Sequence, residues 1–364
     1  MKHRIIAIYL PQFHPIPEND AWWGKGFTEW RNVAKAKPRF PGHYQPHLPA
    51  DLGFYDLRVP EVGIEQAKMA KEHGIYGFCY YHYWFNGHLL LERPLEDMLN
   101  SKESDFPFMI CWANENWTRA WDGGEKEILI GQKYSEEDDL NHIRYLIKFF
   151  KDPRYIRVNN KPVVSIYRTT LLPNIEKTIE IWRAEALKEG MELYICRFES
   201  YGQAGKEFLI NGIDAAIDFE PHTGMKEYDR CKKYAHFMKR GINKISRLMT
   251  GENILPRIED YKKYVLFQLN RTMPLYKQYP CVTPMWDNCA RRKKIFFAFH
   301  NSTPELFGIW FKNVIDKFVP HSDDENFIFI NAWNEWAEGN HLEPDMKWGD
   351  RYLKEVKKSF EIQI

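Results

Sequence analysis

The chain has 364 residues, with 51 basic against 50 acidic side chains and 16% aromatics. That near-balance of charge argues against a nucleic-acid or membrane-surface protein, because such partners select a basic excess. The length can bury one large core, and single barrel domains often exceed ~250 residues.

The N-terminal "MKHRIIAIYLPQF" reads as a first strand, Arg4–Leu10. It is not a signal peptide, since its apolar stretch is short and Pro11 follows without a small-residue cleavage site. Seven more apolar runs follow at Ile75–Trp84, Phe106–Asn114, Pro162–Arg168, Glu192–Phe198, Ala215–Pro221, Pro280–Asn288 and Phe327–Trp333. Several lack alternation, as strands covered on both faces do. Helical periodicity falls between them at Pro60–His73, Leu95–Ser101, Glu136–Phe150, Ile175–Glu189, Ile258–Tyr276, Pro304–Phe318 and Asp350–Phe360. Pro60 opens and Gly74 closes the first of these, a proper start and stop. Eight strands alternating with helices, without repeats or linkers, predict an α/β fold: a single (β/α)8 TIM-type barrel with long βα loops. One domain is expected over residues 1–364, with a basic helical insertion at about 226–257 read as an amphipathic surface helix. A doubly wound sheet is disfavoured, because the turn after the first strand carries Pro and aromatics where a phosphate turn wants Gly.

No run of ~18 apolar residues spans a membrane, though peripheral contact is left open. The six cysteines sit singly with no C-x-x-C pair. Buried free thiols in a reducing compartment are expected, hence a cytoplasmic location.

Active residues of a barrel sit where strands end and βα loops begin. The first end gives Gln12 and His14, then Trp22, Trp23, Glu29 and Trp30; the second gives Tyr80, Tyr81, His82, Tyr83 and Trp84. The third gives Trp112, Asn114, Glu115, Asn116 and Trp117, followed by Arg119, Trp121 and Asp122. Tyr167 and Arg168, Glu199, Glu220 and His222, then Trp286, Asp287 and Asn288 follow at the next four. The eighth gives Trp333, Asn334, Glu335, Trp336 and Glu338. One polar residue at a strand end is commonly a satisfied structural group. Recurrence at eight successive ends points instead to a carbohydrate site. Aromatic faces stack on sugar C–H faces, and polar side chains read the hydroxyls.

Glycosidic chemistry usually needs two carboxyl groups in unlike environments. Glu335 and Glu338 can supply them, Glu338 or Glu335 being raised by burial beside indoles. Three residues apart, they would leave opposite faces of a straight strand. The chain must therefore bend near Trp336–Ala337, and Gly339 helps such a turn. The plainer alternative is an ion pair between one of them and an arginine such as Arg119.

"NEWAEG…LEP" resembles the catalytic segment of family-99 glycoside hydrolases, the endo-α-mannosidases. More of the chain resembles the WbsX-type family of bacterial surface-polysaccharide proteins: "YLPQFHPIPENDAWWGKGFTEWRNV", "GHYQPHLPADLGFYDLR", "GIYGFCYYHYWFNG", "CWANENWTRAWDG" and "NAWNEWAEGNHLEP", reaching from Ile5 to about Pro344. That family is named from O-antigen gene clusters and glossed as glycosyltransferase. The resemblance implies that Glu335 deprotonates a substrate 2-hydroxyl, which forms a 1,2-anhydro sugar. It implies that Glu338 is the acid for the leaving group and later the base for the acceptor. It also implies a role in O-antigen or lipopolysaccharide synthesis.

No cofactor is expected. None of His14, His43, His47, His82 and His88 pairs at i, i+4 with a glutamate on a helix, so no metal is expected, and "GHYQPHLP" reads as a loop walling the site. Asp138–Asp139 and Asp323–Asp324 read as solvated faces, the first pair favoured by a helix dipole. The expected partner is an oligosaccharide or lipid-linked glycan. Two other functions stay open: a nucleotide-sugar-dependent glycosyltransferase, and a non-catalytic glycan-binding protein.

Overall fold

The structure is a computed structural model that describes residues 3–119, 124–200, 202–210, 212–231, 255–292 and 295–361. Its centre is a nearly closed parallel barrel. In chain order the barrel strands are β1 (Arg4–Tyr9), β2 (Gly77–Phe85), β3 (Phe108–Trp112), β4 (Lys161–Ile166), β5 (Tyr194–Glu199), β6 (Ala215–Asp218), β7 and β8 (Phe327–Ile330). β7 is broken into Gln278–Tyr279 and Cys281–Val282. Pro280 has no N–H to give a ladder, so the strand divides there. Its first half pairs with β6 (Ile217 beside Tyr279) and its second with β8 (Val282 beside Ile330). β1 lies between β8 and β2 and completes the ring.

The helices that follow the strands are α1 (Pro60–Glu72), α2 (Arg93–Asn100), α3 (Glu136–Phe150), α4 (Ile175–Lys188), α5 (His222–Cys231), α6 (Tyr261–Asn270), α7 (Pro304–Lys317) and α8 (Arg351–Glu361), and two short ones, Pro17–Trp23 and Glu29–Lys35, lie in the loop after β1. Several starts are written locally. Ser135, Asn174, Asp260 and Thr303 each accept a backbone N–H of the first turn. α3 opens with Glu136, Glu137, Asp138 and Asp139 at its positive end.

The expected helix Ile258–Tyr276 is shorter. Arg257–Asp260 is a strand paired in parallel with Phe297–His300, and α6 ends at Asn270. The expected strand Pro280–Asn288 is displaced, since the ladder ends at Val282 and Asn288–Ala290 turn as a 3-10 helix. Asp138 and Asp139 are buried rather than solvated: Trp84 Nε1 donates to Asp138 at 2.9 Å and Thr178 Oγ1 to Asp139 at 2.8 Å. Asp323 and Asp324 are exposed. The basic segment is described only as far as Cys231 and from Leu255, and residues 232–254 lie outside the described residues. Cys79, Cys111, Cys196, Cys281 and Cys289 are buried free thiols, and Cys231 is an exposed one. Among the described residues no helix is long and apolar enough to cross a membrane.

Gly77 shows how tightly the barrel closes. A Cβ there would stand 2.6 Å from the Pro107 carbonyl oxygen and 3.0 Å from Ile156 Cδ1. The backbone of a neighbouring strand cannot yield cheaply, so Gly77→Ala is expected to lower stability by ~1–3 kcal/mol in urea denaturation. An unchanged midpoint would show that β2 and β3 separate more freely than this.

Candidate active site

A cleft of about 660 Å³ opens at the C-terminal ends of the barrel strands. Period-two geometry decides which side chains reach it. In β2, Tyr81 and Tyr83 line the cleft. Their neighbours point the other way. His82 Nε2 meets His142 Nε2 of α3 at 3.0 Å, and Trp84 stacks on the His142 ring 4.7 Å away. Both therefore belong to the layer between strand and helix.

Of the residues singled out in the sequence, Trp23, Tyr81, Tyr83, Glu115, Asn116, Trp117, Tyr167, His222, Trp286, Glu335 and Glu338 line it. Gln12, Arg168 and Asn288 line it as well. Trp22 sits one layer back, edge-on to Trp117 at 6.0 Å. Arg168 pairs with Glu115 at 2.5 Å, and burial raises the Glu115 pKa against that pull. Gln12 Nε2 donates to Tyr83 at 3.1 Å, while Gln12 Oε1 and Trp286 Nε1 have no hydrogen-bond partner among the described residues. Buried polar atoms without partners beside a cleft suit a ligand rich in hydroxyls.

The remaining expected site residues brace the cleft without lining it. Trp112 is wholly buried against His142 and Trp182. Asn114 ties two loops, accepting from Arg168 N at 2.8 Å and donating to Arg168 O at 2.9 Å. Glu220 is held by Arg271 at 2.6 Å and by Tyr264, behind β6. Burial nevertheless pushes its pKa up to about 8. The Asp287 carboxylate is spent on His43 (2.5 Å), Gln45 (2.6 Å) and the Cys289 N–H (3.0 Å). Burial would raise its pKa, but these donors hold it below the usual range. Trp30 donates to Tyr55 O, Trp333 packs on Phe78, and Asn334 binds Leu10 through both its amide groups. Trp121 and Asp122 lie outside the described residues.

The glutamates follow a turn. Asn334–Glu335 is a short strand paired with Asn340–His341, and Trp336–Glu338 is one 3-10 turn between them. Gly339 closes it with φ 52° and ψ 37°, a left-handed conformation that glycine adopts without steric cost. A Cβ there would also lie 2.9 Å from Asp287 Cβ. The turn rests on Glu343, which accepts Trp336 Nε1 (2.6 Å), Gln66 Nε2 (2.6 Å) and Tyr55 Oη (2.8 Å). Burial pushes Glu343 up to about 7 despite those donors.

Arg291, on the loop after β7, joins the two glutamates. Its Nη1 is 2.8 Å from Glu338, its Nη2 3.1 Å from Glu335, and its Nε 3.1 Å from Glu29. Burial pushes the Glu335 pKa up to about 8; Arg291 opposes this, and Glu338 and Glu29 add to it. Burial also raises Glu29, again against Arg291. Arg119, the arginine expected from the sequence, binds Glu127 instead at 2.9 Å. The sequence reading missed Arg291 and Glu343. The "LEP" motif could have flagged Glu343, but nothing local marks Arg291 among the basic residues of "ARRKK".

Residues 5–356 match the family described as Glycosyltransferase WbsX. Over 351 residues the chain is 39% identical to WxcX of Xanthomonas campestris pv. campestris strain B100, covering 96% of this chain and 48% of that protein. A second strain's WxcX matches equally. The chain thus spans about half the length of the curated relatives it matches. Among solved structures, a glycoside hydrolase-like protein aligns with a TM-score of 0.58 at 16% identity, over 98% of this chain and 94% of that one. The GH99 endo-α-mannosidase from Bacteroides thetaiotaomicron aligns with a TM-score of 0.55 at 14% identity, over 100% of this chain and 97% of that one. At such identities the likeness concerns the fold alone.

Removing the shared cation should be costly. Arg291→Met leaves Glu29 and Glu335 buried without a counter-charge, and a loss of ~3–5 kcal/mol is expected. Both carboxyl pKa values are already raised, so in the variant the neutral forms persist to still higher pH. The loss should therefore be largest above pH about 8 and shrink as pH falls and the carboxyls protonate. Urea midpoints across that range measure it, and a loss independent of pH would contradict the charge argument.

Proposed function

The chain belongs to the glycosyltransferase WbsX family and is on that ground a carbohydrate-active enzyme; from this premise we propose that it cleaves or transfers a glycosidic bond of a surface polysaccharide or its precursor. The reaction would proceed with retention through a 1,2-anhydro sugar, and the substrate would be an α-mannoside-like oligosaccharide or lipid-linked glycan. The observation that carries the reading is that Glu335 and Glu338 share one guanidinium on a cleft walled by tyrosine and tryptophan. The whole chain acts as one catalytic barrel, and its free buried thiols fit the reducing cytoplasm.

In the first step Glu335 removes the proton of the substrate 2-hydroxyl. The freed oxygen attacks the anomeric carbon while Glu338 protonates the leaving oxygen. In the second step Glu338 takes a proton from water or an acceptor hydroxyl. That oxygen opens the anhydro ring at the anomeric carbon, and Glu335 returns its proton to the 2-oxygen. Two inversions give net retention. Glu335 suits the base role, because burial gives its carboxylate a high proton affinity while Arg291 lets it ionise. Tyr81, Tyr83, Trp117 and Trp286 offer ring faces to the sugars. The family's name favours transfer over hydrolysis, and a nucleotide-sugar donor is the second reading it supports.

The test is incubation with α-mannosides and with a panel of nucleotide sugars, followed by mass spectrometry beside Glu335→Gln and Glu338→Gln. Release or transfer without a nucleotide is expected, reduced by ~10²–10⁴-fold in each variant while binding persists. Nucleotide-dependent transfer that survives both substitutions would overturn the mechanism, and unchanged glycan binding without any turnover would leave a lectin. The pH profile assigns the roles separately. With Glu335 as base, kcat/KM should rise as pH approaches about 8 and its carboxyl ionises. A fall across the same range would make Glu335 the acid.

A further inference from the structure

Outside the cleft, the loop written "GHYQPHLP" meets the hairpin that follows the glutamates. His47 Nδ1 lies 3.1 Å from His341 Nε2, which lies 3.8 Å from Asp345 Oδ2. The three residues are 5%, 1% and 1% exposed. Their ligand atoms all lie within 4.8 Å of one another. Atoms bound at ~2.0–2.2 Å to one tetrahedral zinc ion stand ~3.2–3.6 Å apart, so small shifts would bring this set onto a single ion.

Two observations point the lone pairs inward. His341 Nδ1 is 2.9 Å from the Glu343 carbonyl oxygen, so that nitrogen carries the proton and donates it. Nε2 is then the bare one, the arrangement by which a second shell orients a metal-binding imidazole. Asp345 Oδ1 accepts the backbone N–H groups of Lys347 (2.9 Å) and Trp348 (2.6 Å), which fixes the carboxylate. Its Oδ2 is buried and has no hydrogen-bond partner among the described residues. A hydrogen bond from His47 to His341 would pair those two nitrogens, yet it gives the Asp345 Oδ2 no donor. The Tyr44 ring stacks on His47 at 4.3 Å, and its hydroxyl lies near Asp345 but forms no hydrogen bond of normal geometry. Lys347 Nζ sits over the Tyr44 ring at 4.5 Å. A cavity of about 70 Å³ reaches His47, with Tyr44 and Lys347 in its wall.

A neighbouring group behaves differently. His43, Asp287 and Cys289 also cluster, but His43 Nδ1 accepts the Arg39 N–H and Nε2 faces Asp287, so its lone pair is already used.

We infer that His47, His341 and Asp345 bind one first-row divalent transition-metal ion, of which zinc is the best fit to two imidazoles and a carboxylate. The ion takes no part in the glycosidic chemistry. It pins the loop after β1 to the hairpin in which Asn334 pairs with His341 and Glu335 with Asn340. The binding is independent of the reaction the cleft performs.

The untagged chain would be stripped with a chelator, loaded with zinc or with cobalt(II), freed of unbound metal, and analysed for metal content and melting temperature. The expected result is a single retained equivalent and a melting temperature several degrees above that of the stripped protein. Asp345→Asn and His47→Gln, checked for folding by circular dichroism, should each lose both. The cobalt form of the unmodified chain should show the visible absorption of a low-coordinate nitrogen and oxygen site, a readout that needs no variant. Stripped and loaded protein that melt alike without retained metal would overturn the proposal. So would retention undiminished in both variants.

Discussion

One largely enclosed guanidinium organises this site. Arg291 lies among Glu29, Glu335 and Glu338, three carboxylates brought by the loops after β1 and β8. A carboxylate withdrawn from water without a counter-charge is too costly to persist, so each loop depends on the same cation. One positive charge cannot neutralise three negative ones. Burial and mutual repulsion therefore keep Glu335 close to neutral pH in its titration, up to about 8, and raise Glu29 as well. The contact that fixes the geometry thus also sets the proton affinity on which acid–base work depends.

Around that centre the barrel separates two kinds of polar residue. Those facing inward past the strand ends reach the cleft. Those facing outward are consumed by the helices, as His82 and Trp84 are by His142 and Asp138. Glu343 and Asp287 belong to neither class. They are acceptors beneath the turn, and they hold Trp336 on one side and the His43–Gln45 loop on the other. Rigid supports of this kind are what a catalytic turn ending in a left-handed glycine requires.

The loop after β1 closes over the segment that follows the glutamates. Pro49 bridges to Asp345, and the Ala50 N–H donates to the Pro344 carbonyl at 2.9 Å. The same seam contains His47 and His341 and runs directly behind the glutamates. The first long loop is therefore part of the scaffold of the last catalytic turn.

Much of this was legible from the chain alone. Apolar runs and caps are properties of near neighbours, so they placed seven of the eight strands and most helices, while the seventh strand came out displaced. The three-residue spacing of Glu335 and Glu338 required a bend, and the turn at Trp336–Glu338 supplies it. Strand period could also have divided Tyr81 and Tyr83 from His82 and Trp84, because successive side chains leave opposite faces. Other features had no local signal. Pro280 divides one strand between two neighbours only because the ring closes there. Arg291 meets Glu29 across 262 residues, and His47 meets His341 across 294. Which arginine holds the glutamates, and which histidines converge, are decided by barrel closure. Only closure brings the loop of the first strand against the loops of the seventh and eighth.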